Sequence, residues 1–138
     1  MKIASKVVNT KTELLDIIKE GVNPLDYIKE EKDINFISNA LIITGNEEDS
    51  FFEEMAENLL VAILYYLVNT EDEIKTLTRC KEITKMGLNE ENGKKSVESL
   101  LKKDEIAFMR YMAINIAPDK TFKTIFEKLN ESLSNILE

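Results

Sequence analysis

The fold is decided between Ser50 and Leu67, where the sequence runs SFFEEMAENLLVAILYYL. Apolar residues recur there at intervals of three and four, the spacing that keeps side chains on one face of a helix. The apolar positions are Phe51, Phe52, Met55, Ala56, Leu59, Leu60, Ile63, Leu64 and Leu67. The pattern predicts a helix of about five turns at the centre of the core.

The rest of the chain also favours helices. Its 138 residues contain only four Gly and two Pro, whereas an all-β fold of this size would need many more turn residues. Three capping boxes, Thr10 with Glu13, Ser50 with Glu53 and Thr70 with Glu73, predict helix starts. We therefore predict one all-α domain over residues 1–138, an irregular orthogonal bundle of about seven helices around the long central helix.

Three local predictions depend on periodicity. The segment Leu88–Lys95 has no apolar period and is predicted to be a mobile loop. Cys80 lies midway along a predicted helix and is expected to be a small core residue. A helix capped by Asp104 is predicted to turn Ile106, Phe108, Met109, Met112, Ala113 and Ile116 inward.

Composition argues against catalysis and metal binding. The chain has no histidine, which removes the commonest general base and most zinc sites. One cysteine cannot build a thiolate cage, and adjacent acidic residues on a helix diverge by about 100°, which is typical of solvated charges. We predict no catalytic, cofactor or metal residue, and an enzyme built on carboxylates alone ranks third among the hypotheses.

Charge and hydropathy limit the possible location and partners of the chain. The net charge of -8 repels nucleic acid at long range, so a contact with DNA must be local. The longest apolar run, Leu59–Val68, covers about 15 Å as a helix, too short for a bilayer. A single cysteine and the lack of a signal-peptide pattern favour the cytoplasm.

Two groups of charged residues are candidates for partner binding. Lys94, Lys95, Lys102 and Lys103 gather positive charge in a short region, where they could contact phosphates or an acidic partner. A solvated helix face is the alternative interpretation. Glu47 and Glu48, in a predicted loop before the central helix, are the acidic candidates.

The motif residues resemble the all-alpha domain of conjugative coupling proteins, the TraG/TraD-like family of type IV secretion. The family pattern is Asn-Pro-(Phe/Leu)-(Asp/Ala)-Tyr-Ile, followed after a gap by Asp-x-Phe-(Trp/Phe)-Glu-x-Ala-x-x-Leu-Leu. The matching residues here include Asn23, Pro24, Tyr27, Phe51, Phe52, Glu53, Leu59 and Leu60. The later segments Thr76–Thr78 and Ala117–Ile125 also resemble the family, so the likeness runs from about Val22 to Leu133.

The resemblance implies a function by binding. In that family the domain is an insertion in a hexameric, membrane-anchored ATPase, lies on the cytoplasmic side and is implicated in recognising the relaxase and DNA. Walker A and Walker B motifs are absent here, so this segment should not hydrolyse ATP. Residues 1–21 would then be the edge of the parent ATPase domain, a view that a strand-like Ile3–Val8 favours.

The first functional hypothesis is therefore a non-catalytic cargo-recognition domain of a coupling ATPase. Its expected partner is a relaxase or a relaxosome accessory protein, with single-stranded DNA as a weak second partner, and the isolated domain is expected to be a monomer. The motif residues are predicted to be core by their spacing, so they identify a fold better than a contact surface. The alternative is a free-standing helical adaptor or regulator of a bacterial mobile element.

Overall fold

A computed structural model describes residues 1–45 and 47–137. In these residues the all-α prediction is confirmed, with seven α-helices and one short hairpin. The hairpin strands are β1 (Lys2–Ile3) and β2 (Lys6–Val7), and 3₁₀ helices cover Pro24–Tyr27 and Glu47–Asp49. The α-helices are α1 (Lys11–Lys19), α2 (Glu31–Leu41), α3 (Ser50–Asn69), α4 (Leu77–Gly87), α5 (Gly93–Leu101), α6 (Glu105–Asn115) and α7 (Asp119–Leu137).

Helix α3 is the centre of the core, as its periodicity predicts. It packs most extensively on α6 and α7, and also contacts α2, α4 and α5. Leu59, Leu60 and Ile63 are fully buried in it. Burial of each such side chain stabilises the fold by about 1.5 to 3 kcal/mol before conformational entropy is subtracted.

The helix start that the first capping box predicts, at Thr10, is confirmed. Thr10 Oγ1 accepts a hydrogen bond from the Glu13 amide at 3.2 Å and starts α1. Helix α3 begins directly after a 3₁₀ helix, with Asp49 at its N-cap and no side-chain cap. Helix α4 begins at Leu77 with Thr76 as its cap, so the prediction of a helix start at Thr70 is wrong.

The Asn-Pro motif forms a fixed turn. Asn23 Oδ1 accepts from the Leu25 amide at 3.1 Å, and Asn23 Nδ2 donates to the Lys75 carbonyl at 2.7 Å. Pro24 is buried at the start of the 3₁₀ helix, where its missing N–H leaves no donor unsatisfied, and Tyr27 is half-buried. The motif thus ties the chain before α2 to the loop before α4.

Phe51 corrects the prediction that every residue of the Phe-Phe-Glu block is core. Its side chain is 52% exposed, whereas Phe52 and Glu53 are half-buried. Adjacent helical residues point about 100° apart, so in this first turn only one of the two rings can face the bundle. The two rings meet edge to face, with centroids 5.2 Å apart.

The segment Leu88–Lys95 is more ordered than predicted. Its last three residues, from Gly93, are the first turn of α5. Before them Asn89 Oδ1 accepts hydrogen bonds from the amides of Glu91 and Asn92, at 3.1 and 3.4 Å. An asparagine that bonds its own backbone in this way forms a compact turn, which apolar periodicity cannot reveal.

The first residues pack with the rest of the bundle. The strand-like Ile3–Val8 is a hairpin in which Lys2 pairs with Val7, and the turn residues Ala4 and Ser5 have φ of 51° and 72°. Ile3, Val8 and Leu14 lie in the same buried cluster as α3. In the residues that the structure describes, no helix combines the length and the apolar character needed to cross a bilayer.

Candidate interaction surface on helix α6

Four of the six α6 residues that are predicted to face inward are exposed to solvent, whereas Phe108 and Met112 are half-buried. Ile106, Met109 and Ile116 are 47%, 69% and 75% exposed, and Ala113 is exposed as well. These are three of the seven large apolar side chains that are exposed in the described residues. We call Ile106, Met109, Ala113 and Ile116 the α6 stripe.

The opposite face of α6 anchors the helix to the core. Ala107, Tyr111 and Ile114 are fully buried, at spacings of four and three that match one helix face. Both faces of α6 are therefore apolar, and the prediction chose the wrong one. The helix is fixed at its start by Asp104, whose Oδ2 accepts from the Ala107 amide at 2.9 Å.

Arg110 borders the α6 stripe and connects it to two other helices. Its Nη2 lies 2.7 Å from Glu31 Oε1 of α2, and its guanidinium carbon lies 5.2 Å from the ring centroid of Tyr65 on α3. Burial, with the Glu31 carboxylate next in effect, raises the pKa of Tyr65. These contacts join α6 to both neighbouring helices.

The four candidate lysines do not form one cluster. Lys94 and Lys95 begin α5, whereas Lys102 and Lys103 follow its end, about 12 Å away along the helix axis. Lys94 Nζ donates to the Ala117 carbonyl at 2.9 Å and lies 3.4 Å from Asp119 Oδ1, so its charge is used to join α5 to α7.

The second pair of lysines lies beside α6. Lys102 Nζ is 5.6 Å from the centroid of the Phe108 ring, which places it against the first two turns of the helix. Lys103 is exposed and makes no ion pair with the described residues. Lys102 therefore lies beside α6 against Phe108, which is not a stripe residue, and Lys103 follows it in the chain before α6.

The acidic candidates Glu47 and Glu48 form an exposed 3₁₀ turn before α3.

A cleft of about 340 Å³ lies elsewhere, between the end of α4 and the starts of α5 and α7. Four of its five charged lining residues form pairs, since Lys94 contacts Asp119 and Lys123 Nζ lies 3.9 Å from Glu90 Oε1, and the fifth is Glu91. A ligand in this cleft would have to displace those contacts.

The one cysteine is a core residue, as predicted. Cys80 is fully buried in α4, and burial raises the pKa of its thiol to about 12. No grouping of His, Cys, Asp or Glu within residues 1–45 and 47–137 has the arrangement that could hold a metal ion. The exposed α6 stripe is therefore the feature of the described surface with the clearest functional character.

No protein-family model, curated protein or solved structure matches this chain. In the described residues, fold and surface define an all-α domain that presents an apolar helix face to solvent.

Proposed function

We propose that this chain is a protein-recognition domain, and that its role is the recognition of relaxase or relaxosome cargo for a conjugative coupling ATPase. The observation that carries the proposal is the exposed α6 stripe. Large apolar patches exposed on a protein surface mark interaction sites. The domain acts by binding and leaves ATP hydrolysis to the parent protein.

The family resemblance supports the cargo assignment through residues other than the stripe. Asn23 and Pro24 fix the turn before α2, and Leu59 and Leu60 are buried in α3. Residues with these roles would be shared by domains of the same fold with different cargoes. Cargo choice would then depend on exposed residues such as Met109, outside the quoted motifs.

DNA is a secondary partner in this proposal. The net charge of -8 opposes a phosphate backbone, and Lys94 is already engaged with α7. Lys95, Lys102 and Lys103 remain to make weak, local contacts. A titration with single-stranded oligonucleotide at low and moderate salt tests this part, because phosphate contacts are strongest at low salt and their absence there would remove DNA from the proposal.

The cargo assignment is tested with the relaxase encoded on the same genetic element. Calorimetric titration of the chain should show binding that Met109→Glu weakens at least about tenfold, because a buried charge opposes an apolar contact. Ile74→Glu is the matched control, since Ile74 is 65% exposed on the loop before α4. Loss of binding in both variants, or in neither, would contradict the proposal that the cargo binds the α6 stripe.

The reading frame on both sides of this segment distinguishes the proposal from its alternative. A Walker A motif upstream and a Walker B motif downstream would support a domain of a coupling ATPase. Stop codons close to both ends would contradict it and leave the free-standing adaptor, a binding protein that would use the same stripe.

A further inference from the structure

One of the five methionines of this chain differs from the others in its exposure to solvent. All five lie within the residues that the structure describes. Met109 of the α6 stripe is 69% exposed, whereas the other four are half-buried: Met1, Met55, Met86 and Met112. We infer that Met109 is an oxidation site, where a peroxide converts the thioether to a sulfoxide while the chain stays folded.

The reaction transfers one oxygen atom to the methionine sulfur. The sulfur attacks an oxygen of hydrogen peroxide, the O–O bond breaks as the S–O bond forms, and water leaves. The sulfur is oxidised by two electrons, and the peroxide is reduced by the same two. Because the peroxide must reach the sulfur, an exposed thioether reacts before one that neighbouring side chains cover.

The other sulfur atoms of the chain are less accessible. Three methionines pack against the buried core cluster: Met1, Met55 and Met86. Met112 lies three residues beyond Met109 on α6, and its side chain is half-buried. Cys80 does not compete, because it is fully buried and burial raises the pKa of its thiol to about 12, so that the reactive thiolate is scarce.

The position of Met109 allows its polarity to change without loss of the fold. A sulfoxide is polar, and a polar group that is buried without a hydrogen-bond partner destabilises a protein. The Met109 side chain is mainly in contact with solvent, so water can hydrogen-bond to the sulfoxide oxygen. Met109 lies one helical turn from Ile106 and one from Ala113, so its oxidation interrupts the apolar stripe.

Oxidation of Met109 is a reversible change of the surface. Methionine sulfoxide reductases restore the thioether, so the stripe can alternate between an apolar and a more polar form. Since the proposed function places the cargo on this stripe, the sulfoxide should weaken cargo binding. That consequence rests on the proposed function, whereas the oxidation site itself does not.

Peptide mapping by mass spectrometry identifies the methionine that reacts first. The full chain is treated with a small excess of hydrogen peroxide, quenched at intervals and digested with trypsin, which cleaves after Lys103, Arg110 and Lys120. Met109 and Met112 then lie in separate peptides. In the native chain we expect Met109 to gain oxygen several times faster than any other methionine, and in denaturant all five should react at similar rates.

Conservative variants and the oxidised chain complete the test. Met109→Leu should abolish the first oxidation event, whereas the matched control Met112→Leu should leave it unchanged. Leucine and methionine have similar volumes, so both variants should fold. The urea midpoint of the chain oxidised at Met109 alone should equal that of the reduced chain.

Calorimetric titration with the relaxase measures the consequence for cargo binding. Oxidised wild type should bind several-fold more weakly than the reduced chain, and treatment with a sulfoxide reductase should restore the affinity. Peroxide should leave the affinity of Met109→Leu unchanged.

Two results would overturn the inference: another methionine that is oxidised as fast as Met109 in the native chain, or unfolding of the chain oxidised at Met109 alone. A chain that is oxidised first at Met109 but binds the relaxase equally well in both forms would retain the oxidation site and contradict the stripe as the cargo site. Selective oxidation of a chain that does not bind the relaxase would retain the oxidation site and lose the cargo assignment.

Discussion

Arg79 binds Glu73 through two parallel hydrogen bonds, from Nε to Oε1 and from Nη2 to Oε2, each 2.9 Å long. The hydroxyl of the buried Tyr66 on α3 donates to the same carboxylate. This network ties the loop after α3 to α4 and explains why Thr70–Glu73 is not a helix start. The Glu73 carboxylate accepts hydrogen bonds from Arg79 and Tyr66 and does not cap a helix at Thr70.

The first prediction is that Glu73 makes stability depend on acid pH. The bonds from Arg79, with the one from Tyr66, lower the pKa of Glu73 from 4.5 to about 2. A carboxyl with a depressed pKa stabilises the fold fully above its unfolded value, and the contribution is lost as pH falls from about 4.5 to about 2. The full shift corresponds to about 3 kcal/mol, and solvent screening of a pair near the surface leaves about 2 kcal/mol.

Urea unfolding at a series of acidic pH values measures that contribution. Glu73→Gln should flatten the pH dependence of the unfolding free energy in this window, because the variant has no carboxyl to titrate. Glu82→Gln is the matched control, since Glu82 also contacts Arg79 but its side chain is 59% exposed. An identical acid profile for wild type and Glu73→Gln would contradict the prediction.

The second prediction distinguishes the two faces of α6. Met109→Glu should change the unfolding free energy by no more than about 0.5 kcal/mol, because the side chain is exposed. Leu60→Glu should prevent folding, because Leu60 is fully buried in α3 and has no partner there for a charge. Thermal unfolding by circular dichroism measures both, and strong destabilisation by Met109→Glu would mean that this face is covered.

The two helices α6 and α7 show what periodicity can and cannot predict. In α7 one face is apolar, and Phe122, Ile125 and Leu129 are buried as the sequence predicts. In α6 two faces are apolar, so the sequence does not decide which one meets α3. That choice depends on the packing of the whole bundle and on contacts from distant residues such as Glu31.

The sequence therefore contains the pattern that forms the candidate surface, but periodicity predicts the wrong environment for it. The interval of three, four and three from Ile106 to Ile116 was the available signal. A second apolar set on the same helix consists of Ala107, Tyr111 and Ile114. This set is the one that packs in the core. The prediction that Leu59 and Leu60 are core residues is confirmed, because the pattern around them has a single interpretation.

The third prediction concerns the thiol of Cys80. Burial raises its pKa to about 12, and the reactive species is the thiolate, so alkylation of the native protein should be very slow. Thiol titration with a disulfide reagent at mildly alkaline pH should show reaction at the rate of unfolding, and immediate reaction in denaturant. Rapid reaction of the native chain would contradict the buried position of this residue.

The last prediction separates two adjacent lysines that composition cannot tell apart. Lys94 Nζ donates to the Ala117 carbonyl and lies 5.1 Å from the centroid of the Phe122 ring, whereas Lys95 is exposed on the same turn. Lys94→Ala should lower the unfolding free energy by about 1 kcal/mol, because it removes a hydrogen bond and a ring contact that join α5 to α7. Lys95→Ala should have no measurable effect on stability. In the oligonucleotide titration Lys95→Ala should weaken binding more than Lys94→Ala, because the Lys94 ammonium is already engaged with α7. Equal losses of stability in the two variants would show that Lys94 does not hold α5 to α7.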